Sequence, residues 1–174
     1  MVLMEQEKEK LQKYTDQIND LREKDQSLRK IMDLKDNPTE EEWKAIGEFD
    51  AESTKVMKKI VAEIGLPTIL KVGEDASYSA WLVVQHSPDL EFQKEYLRLL
   101  KENKADVNPQ NIAYLEDRVL MYEGKPQIYG TQLRLNKETQ KYEPYETEDI
   151  ENVNTRRKEV GLETIEEYLL DIKS

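Results

Sequence analysis

Leu11, Tyr14, Ile18, Leu21, Asp25, Leu28 and Met32 follow one another at intervals alternating between three and four residues. That is a heptad seam, and the stretch from Leu3 to Met32 holds neither Gly nor Pro. It predicts one long amphipathic helix over about residues 3–33. Asn37-Pro38-Thr39 breaks the pattern, and Thr39 followed by Glu42 is a capping-box signature for a second helix. There Trp43, Ile46, Asp50, Ser53, Met57, Ile60 and Ile64 repeat the spacing until Gly65-Leu66-Pro67 ends it. Two seam positions, Asp25 and Asp50, carry carboxylates where the pattern asks for apolar side chains.

Thr68 to Gly73 is expected to be a short extended segment. Helical spacing resumes from Asp75 to His86, with Ala76, Ala80, Trp81, Val83 and Val84 as apolar content. Ser87-Pro88-Asp89 stops that helix and starts the next, Leu90 to Glu102. Asn108-Pro109 opens another that runs to about Glu123, with Gly124 as its C-terminal punctuation. Gln127 to Leu135 and Lys141 to Tyr145 alternate and are rich in Tyr, Ile and Thr, which predicts a β-hairpin near residues 127–145. Asp149 to Val160 and Thr164 to Ile172 read as two closing helices around Gly161. The expected class is mainly α: a bundle of six to seven helices with one small hairpin, residues 1–174 forming a single domain and the first helix free to project as an arm.

Composition narrows the function. The 174 residues carry 26 Lys and Arg against 37 Asp and Glu, a net charge of −11. Nucleic acid is therefore not expected as a partner, because phosphate binding needs a clustered positive surface. An anionic membrane surface is disfavoured for the same reason, and no apolar run approaches the length of a span. The charged start, Met1 to Lys10, does not resemble a signal peptide, so a cytoplasmic location is expected unless an export signal has been removed. There is no Cys and one His, which removes thiolate zinc sites, iron–sulfur clusters and cysteine nucleophiles. Phosphate-binding, dinucleotide-binding, zinc-protease and nucleophile-elbow motifs are also absent, and no cofactor is indicated. Chemistry by carboxylates or by His86 is what remains.

Asp25 must be paired, bonded or protonated if the seam is buried. Arg29, one helical turn on, is the nearest partner, and a plain Asp25–Arg29 ion pair is the bland alternative to a functional carboxylate. For Asp50 the bland alternative is a face rotated toward Phe49 and Val56. His86 ends its helix, where the dipole favours a cation, so a simple cap competes with an acid/base role. Asp117 and Arg118 diverge by about 100° around their helix and each needs a partner from elsewhere. Gly124 to Gln132 holds two Gly, a Pro and four hydrogen-bonding side chains: a ligand-facing strand, or a tight turn whose polar groups serve its own backbone.

Taken together, several motifs resemble an uncharacterised bacterial domain family. They are Lys24-Asp25-Gln26-Ser27-Leu28-Arg29, Gly65-Leu66-Pro67, Val72-Gly73-Glu74-Asp75 and Ala80-Trp81-Leu82-Val83-Val84-Gln85-His86. Tyr114-Leu115-Glu116-Asp117-Arg118 and Gly124 to Gln132 continue it, and Arg156-Arg157 with Gly161-Leu162 looks like its usual ending. The chain departs from the pattern at Leu66, where Trp is expected, and at Ser53, where Asn is usual. The resemblance spans nearly the whole chain and implies no activity. It does imply that Asp25, Gln26, Arg29, Gln85, His86, Asp117, Arg118, Gln127, Tyr129, Thr131 and Gln132 form one signature.

Such a set suits a polar pocket for a small anionic or amide-bearing molecule, whether bound or transformed. In that expectation His86 is the acid/base, oriented by Asp117 or Asp25. Arg29, Gln26, Gln85, Arg118, Gln127, Tyr129, Thr131 and Gln132 hold the ligand. A related alternative is an oxygen-rich metal site from Asp25, Asp50, His86 and Asp117. The contrasting alternative is a non-enzymatic interaction module whose polar signature is a structural network. It would pair through the first helix, or offer Glu143, Glu146, Glu148, Asp149 and Glu151 to a basic surface.

Overall fold

A computed structural model describes residues 2–35 and 38–172. The expected break at Asn37 lies outside the described residues. The chain divides into two compact units, Met1–Val107 and Asn108–Ser174.

The first unit is helical throughout. It contains α1 (Val2–Asp33), α2 (Glu40–Ile64), α3 (Ile69–Val72), α4 (Glu74–Gln85) and α5 (Leu90–Glu102), then a 3-10 turn at Lys104–Asp106. The heptad seam of α1 packs on α4 and α2, and its most buried members are seven residues apart: Ile18, Asp25 and Met32. Thr39 caps α2 through the expected box with Glu42. The seam of α2 is Ile46, Ser53, Met57 and Ile60, whereas Trp43 at its start is exposed. α4 sits at the centre, with Ala76, Ala80, Val83 and Val84 almost fully buried.

The expected extended segment at 68–73 is instead the single turn α3, which raises the helix count among the described residues to eight. Local bonding explains the change. Lys71 and Val72 donate to the Thr68 carbonyl, Asp106 accepts from the Leu70 N–H, and Lys71 Nζ bonds the Ile64 carbonyl left open at the end of α2.

The second unit is α6 (Pro109–Tyr122), a hairpin of β1 (Leu133–Asn136) and β2 (Lys141–Pro144), a 3-10 turn (Ile150–Asn152), α7 (Val153–Glu159) and α8 (Ile165–Asp171). Asn108 caps α6 and Pro109 occupies its first turn. The strands are antiparallel, with Leu133 opposite Pro144 and Leu135 opposite Tyr142. The continuous ladder begins at Leu133, and before it Gln127 makes only an isolated parallel bridge to Thr147. Residues 127–132, expected as the start of the strand, form a loop around the Asp117 carboxylate. Among the described residues no helix is long and apolar enough to cross a membrane.

Candidate functional site

In the first unit, three helices bring four ionisable side chains to one point. Asp25 of α1 is 2 % exposed, and its Oδ1 lies 2.9 Å from Nδ1 of His86, the residue that closes α4. Arg29, a turn further along α1, directs Nε at the same Oδ1 at 3.0 Å. Its Nη2 donates to Oδ1 of Asp50 on α2 at 2.6 Å. Gln26 Nε2 donates to the other oxygen of Asp25 at 2.8 Å. The two anomalous seam carboxylates are thus bridged by one guanidinium.

Arg29 Nε is also 3.0 Å from His86 Nδ1. If that nitrogen were bare and accepted the arginine proton, its lone pair would face the Asp25 oxygen at 2.9 Å, two acceptors in contact. The favourable arrangement has His86 Nδ1–H and Arg29 Nε–H both donating to Asp25. The ring is then held at Nδ1 by a carboxylate, which leaves Nε2 as the nitrogen that can meet a ligand. The His86 side chain is 20 % exposed, so the ring held by Asp25 still reaches the surface in part.

Burial alone would push the Asp25 carboxyl up. The bond and charge of His86, the Gln26 amide and the Arg29 charge outweigh it and hold the carboxyl below its ordinary value. Asp50 goes the other way: burial raises it, and Arg29 offsets only part of that. Two carboxylates on one arginine are therefore shifted in opposite directions, Asp25 down and Asp50 up. Ser87 and Thr54 do not supply a nucleophile here. Thr54 Oγ1 donates to Ser87 Oγ at 2.8 Å, and Ser87 Oγ also accepts from the Asp89 N–H.

In the second unit, the signature residues organise the loop 127–132. Asp117 is fully buried; its Oδ1 accepts from the N–H groups of Ile128 and Tyr129, and its Oδ2 from Thr131 N–H and Oγ1, at 2.8–3.0 Å. Burial raises the Asp117 carboxyl, and these donors oppose the rise. Gln127 holds both ends of the loop: Nε2 bonds the Gln132 and Tyr145 carbonyls and Oε1 accepts the Gln132 N–H. The Gln132 amide donates to Thr131 Oγ1 and the Tyr114 carbonyl. The loop carbonyls face cations instead. Arg157, 0 % exposed, donates to Tyr129 O at 2.8 Å, and Arg156 to Ile128 O at 2.8 Å. Tyr129 meets this clasp through its backbone, while its side chain is half-buried.

The structure therefore brings Asp25, Gln26, Arg29, Asp50 and His86 together in one unit. It brings Asp117, Gln127, Tyr129, Thr131 and Gln132 together in the other. Gln85 Oε1 and Arg118 Nε are buried without a hydrogen-bond partner among the described residues. No group of three or more Asp, Glu or His side chains among those residues is placed to hold a metal ion. The physical reason in the first unit is plain: the position a cation would take between Asp25, His86 and Asp50 is filled by the Arg29 guanidinium. Sequence reasoning missed Arg157 as a buried cation. It also missed Gln93, whose Nε2 gathers the carbonyls of Val84, Gln85 and Ser87 behind the end of α4. The adjacent pair Arg156-Arg157 was the available signal for the first; an isolated Gln on a helix gives none for the second.

Comparison with curated proteins and with solved structures gave no match. A family model does match, over residues 12–173 and hence across both units, and the chain belongs to that family of unknown function, DUF6624.

Proposed function

We propose that the first unit carries a site for a small, neutral, amide-bearing molecule, with His86 as its acid/base. The observation that supports this is the 2.9 Å contact between His86 Nδ1 and the buried Asp25 carboxylate, on a ring that is still partly exposed. In this arrangement Nε2 takes a proton from the ligand or from an attacking water, Asp25 remains ionised beside the imidazolium, and the proton returns to the leaving group. General acid–base help of this kind contributes roughly 10²–10⁴ in rate. A neutral ligand is favoured over an anionic one because Arg29 already faces two carboxylates. Its remaining N–H groups and the Gln26 amide are suited to a carbonyl oxygen. Gln85, in the same unit, is a further polar group for a ligand, whereas Asp117, Gln127, Thr131 and Gln132 shape the loop that carries Tyr129 in the second unit.

One observation favours a second reading, a network that fixes the helices: Arg29 ties α1 to α2, and Asp25 ties α1 to the end of α4. Thermal melts of Asp25→Leu and His86→Ala beside the wild type decide between them. Leucine at position 25 completes the apolar seam of α1, a gain that Asn cannot make, so for a site both variants should fold and melt at or above the wild-type temperature. A fall of many degrees in either variant would sink the site and leave the network.

A further inference from the structure

Arg22, Gln26 and Arg29 stand four and three residues apart on α1, so they share one face of that helix. Their Cα atoms span about 10 Å at the usual helical rise. At one end of this stripe is the Asp25–His86 pair. Along the same stretch of α1 runs a groove of about 630 Å³, lined by Arg22, Glu23, Gln26, Lys30 and Asp75 among others. That volume lies in the range of small-molecule sites. Gln26 belongs to both places, since it lines the groove and donates to Asp25 Oδ2.

Arg22 is the unusual residue. Its guanidinium lies 5.2 Å from the centre of the Tyr78 ring, which packs in turn on Trp81 at 5.3 Å. Arg29, Arg98, Arg134, Arg156 and Arg157 each face a carboxylate within 4 Å. Arg22 and Arg118 pair with none among the described residues, although the chain has 37 acidic side chains to offer, and of these two Arg22 is the one that lines the groove. A guanidinium positioned over an aromatic face with its donors unmatched is preorganised for a carboxylate. Glu23 and Asp75 would repel a plain anion, yet they suit an ammonium group. A groove lined by both signs fits a ligand that carries both.

We propose that this groove binds a zwitterionic amide of the short-peptide kind. Its carboxylate lies on Arg22, its ammonium faces Glu23 and Asp75, and its amide lies along Gln26 toward His86. Only the destination of the amide rests on the acid/base reading given above; the groove itself does not.

The test is a titration of the ¹⁵N-labelled full chain with alanyl-alanine, with N-acetylalanine and alaninamide as single-charge controls. Saturable shifts are expected at the Arg22 Nε–H and the Gln26 side-chain amide, with each control binding about tenfold more weakly or worse. Arg22→Gln should weaken the dipeptide by a similar factor at an unchanged melting temperature, and Arg22→Lys should recover part of the loss. Shifts that do not saturate, a control that binds as well as the dipeptide, or an Arg22→Gln variant that binds like the wild type overturns the proposal. If the dipeptide fails to bind while Asp25→Leu and His86→Ala melt high, the groove falls and the His86 site stands. If it binds while those variants collapse, the groove stands alone.

Discussion

Asp25 decides what His86 can do. A buried carboxylate is tolerated here because three donors converge on it, and its lowered pKa has a measurable consequence. A group whose native pKa is depressed adds stability above its unfolded value, about 3.8 for Asp, and loses it as pH falls through the native value. The difference in melting temperature between the wild type and Asp25→Asn should be largest near neutrality. It should shrink steadily below pH 3.8 and close once the native carboxyl is protonated. Asp50 has the opposite sign: its raised pKa disfavours folding above that value, and acidification relieves the penalty. A gap that stays constant from pH 7 to pH 2 would show that Asp25 is not the stabilised carboxylate.

At the level of elements, what could be foreseen followed from periodicity and what could not followed from convergence. The seam of α1 and the cap of α2 are local patterns, and both were legible, as was the departure of Asp25 and Asp50 from the seam. The turn α3 was not, because it depends on Asp106, 36 residues from the Leu70 N–H it accepts. Gln127 to Gln132 alternate like a strand, but Asp117 captures three of their N–H groups and Gly130 turns the chain at φ +67°. A buried carboxylate from another helix leaves no periodic trace in the loop it organises. Gly130 is needed at that turn: a Cβ there would meet Ile165 Cδ1 of α8 at 2.8 Å, on a backbone that L side chains rarely adopt. Gly130→Ala should therefore destabilise by about 2 kcal/mol, with faster hydrogen exchange in the 127–132 loop and in α8. An unchanged urea midpoint would mean that α8 yields without loss.

For the whole molecule the net charge of −11 sets the response to its surroundings. Among the described residues most ion pairs are exposed, such as Lys55–Glu52 and Arg98–Glu102, and exposed pairs contribute little. Salt should screen the self-repulsion more than it weakens those pairs. Raising sodium chloride from low to physiological concentration should lift the melting temperature by roughly 2–4 °C, and a fall would show that the surface pairs dominate. The arginine shared by Asp25 and Asp50 limits how this chain can change over generations. Losing Arg29 alone strands two carboxylates, and losing both carboxylates strands a cation among three helices. A route to an apolar arrangement that begins at Arg29 passes through an intermediate less stable than either end. A relative that has lost the arginine at position 29 should therefore have replaced both carboxylates.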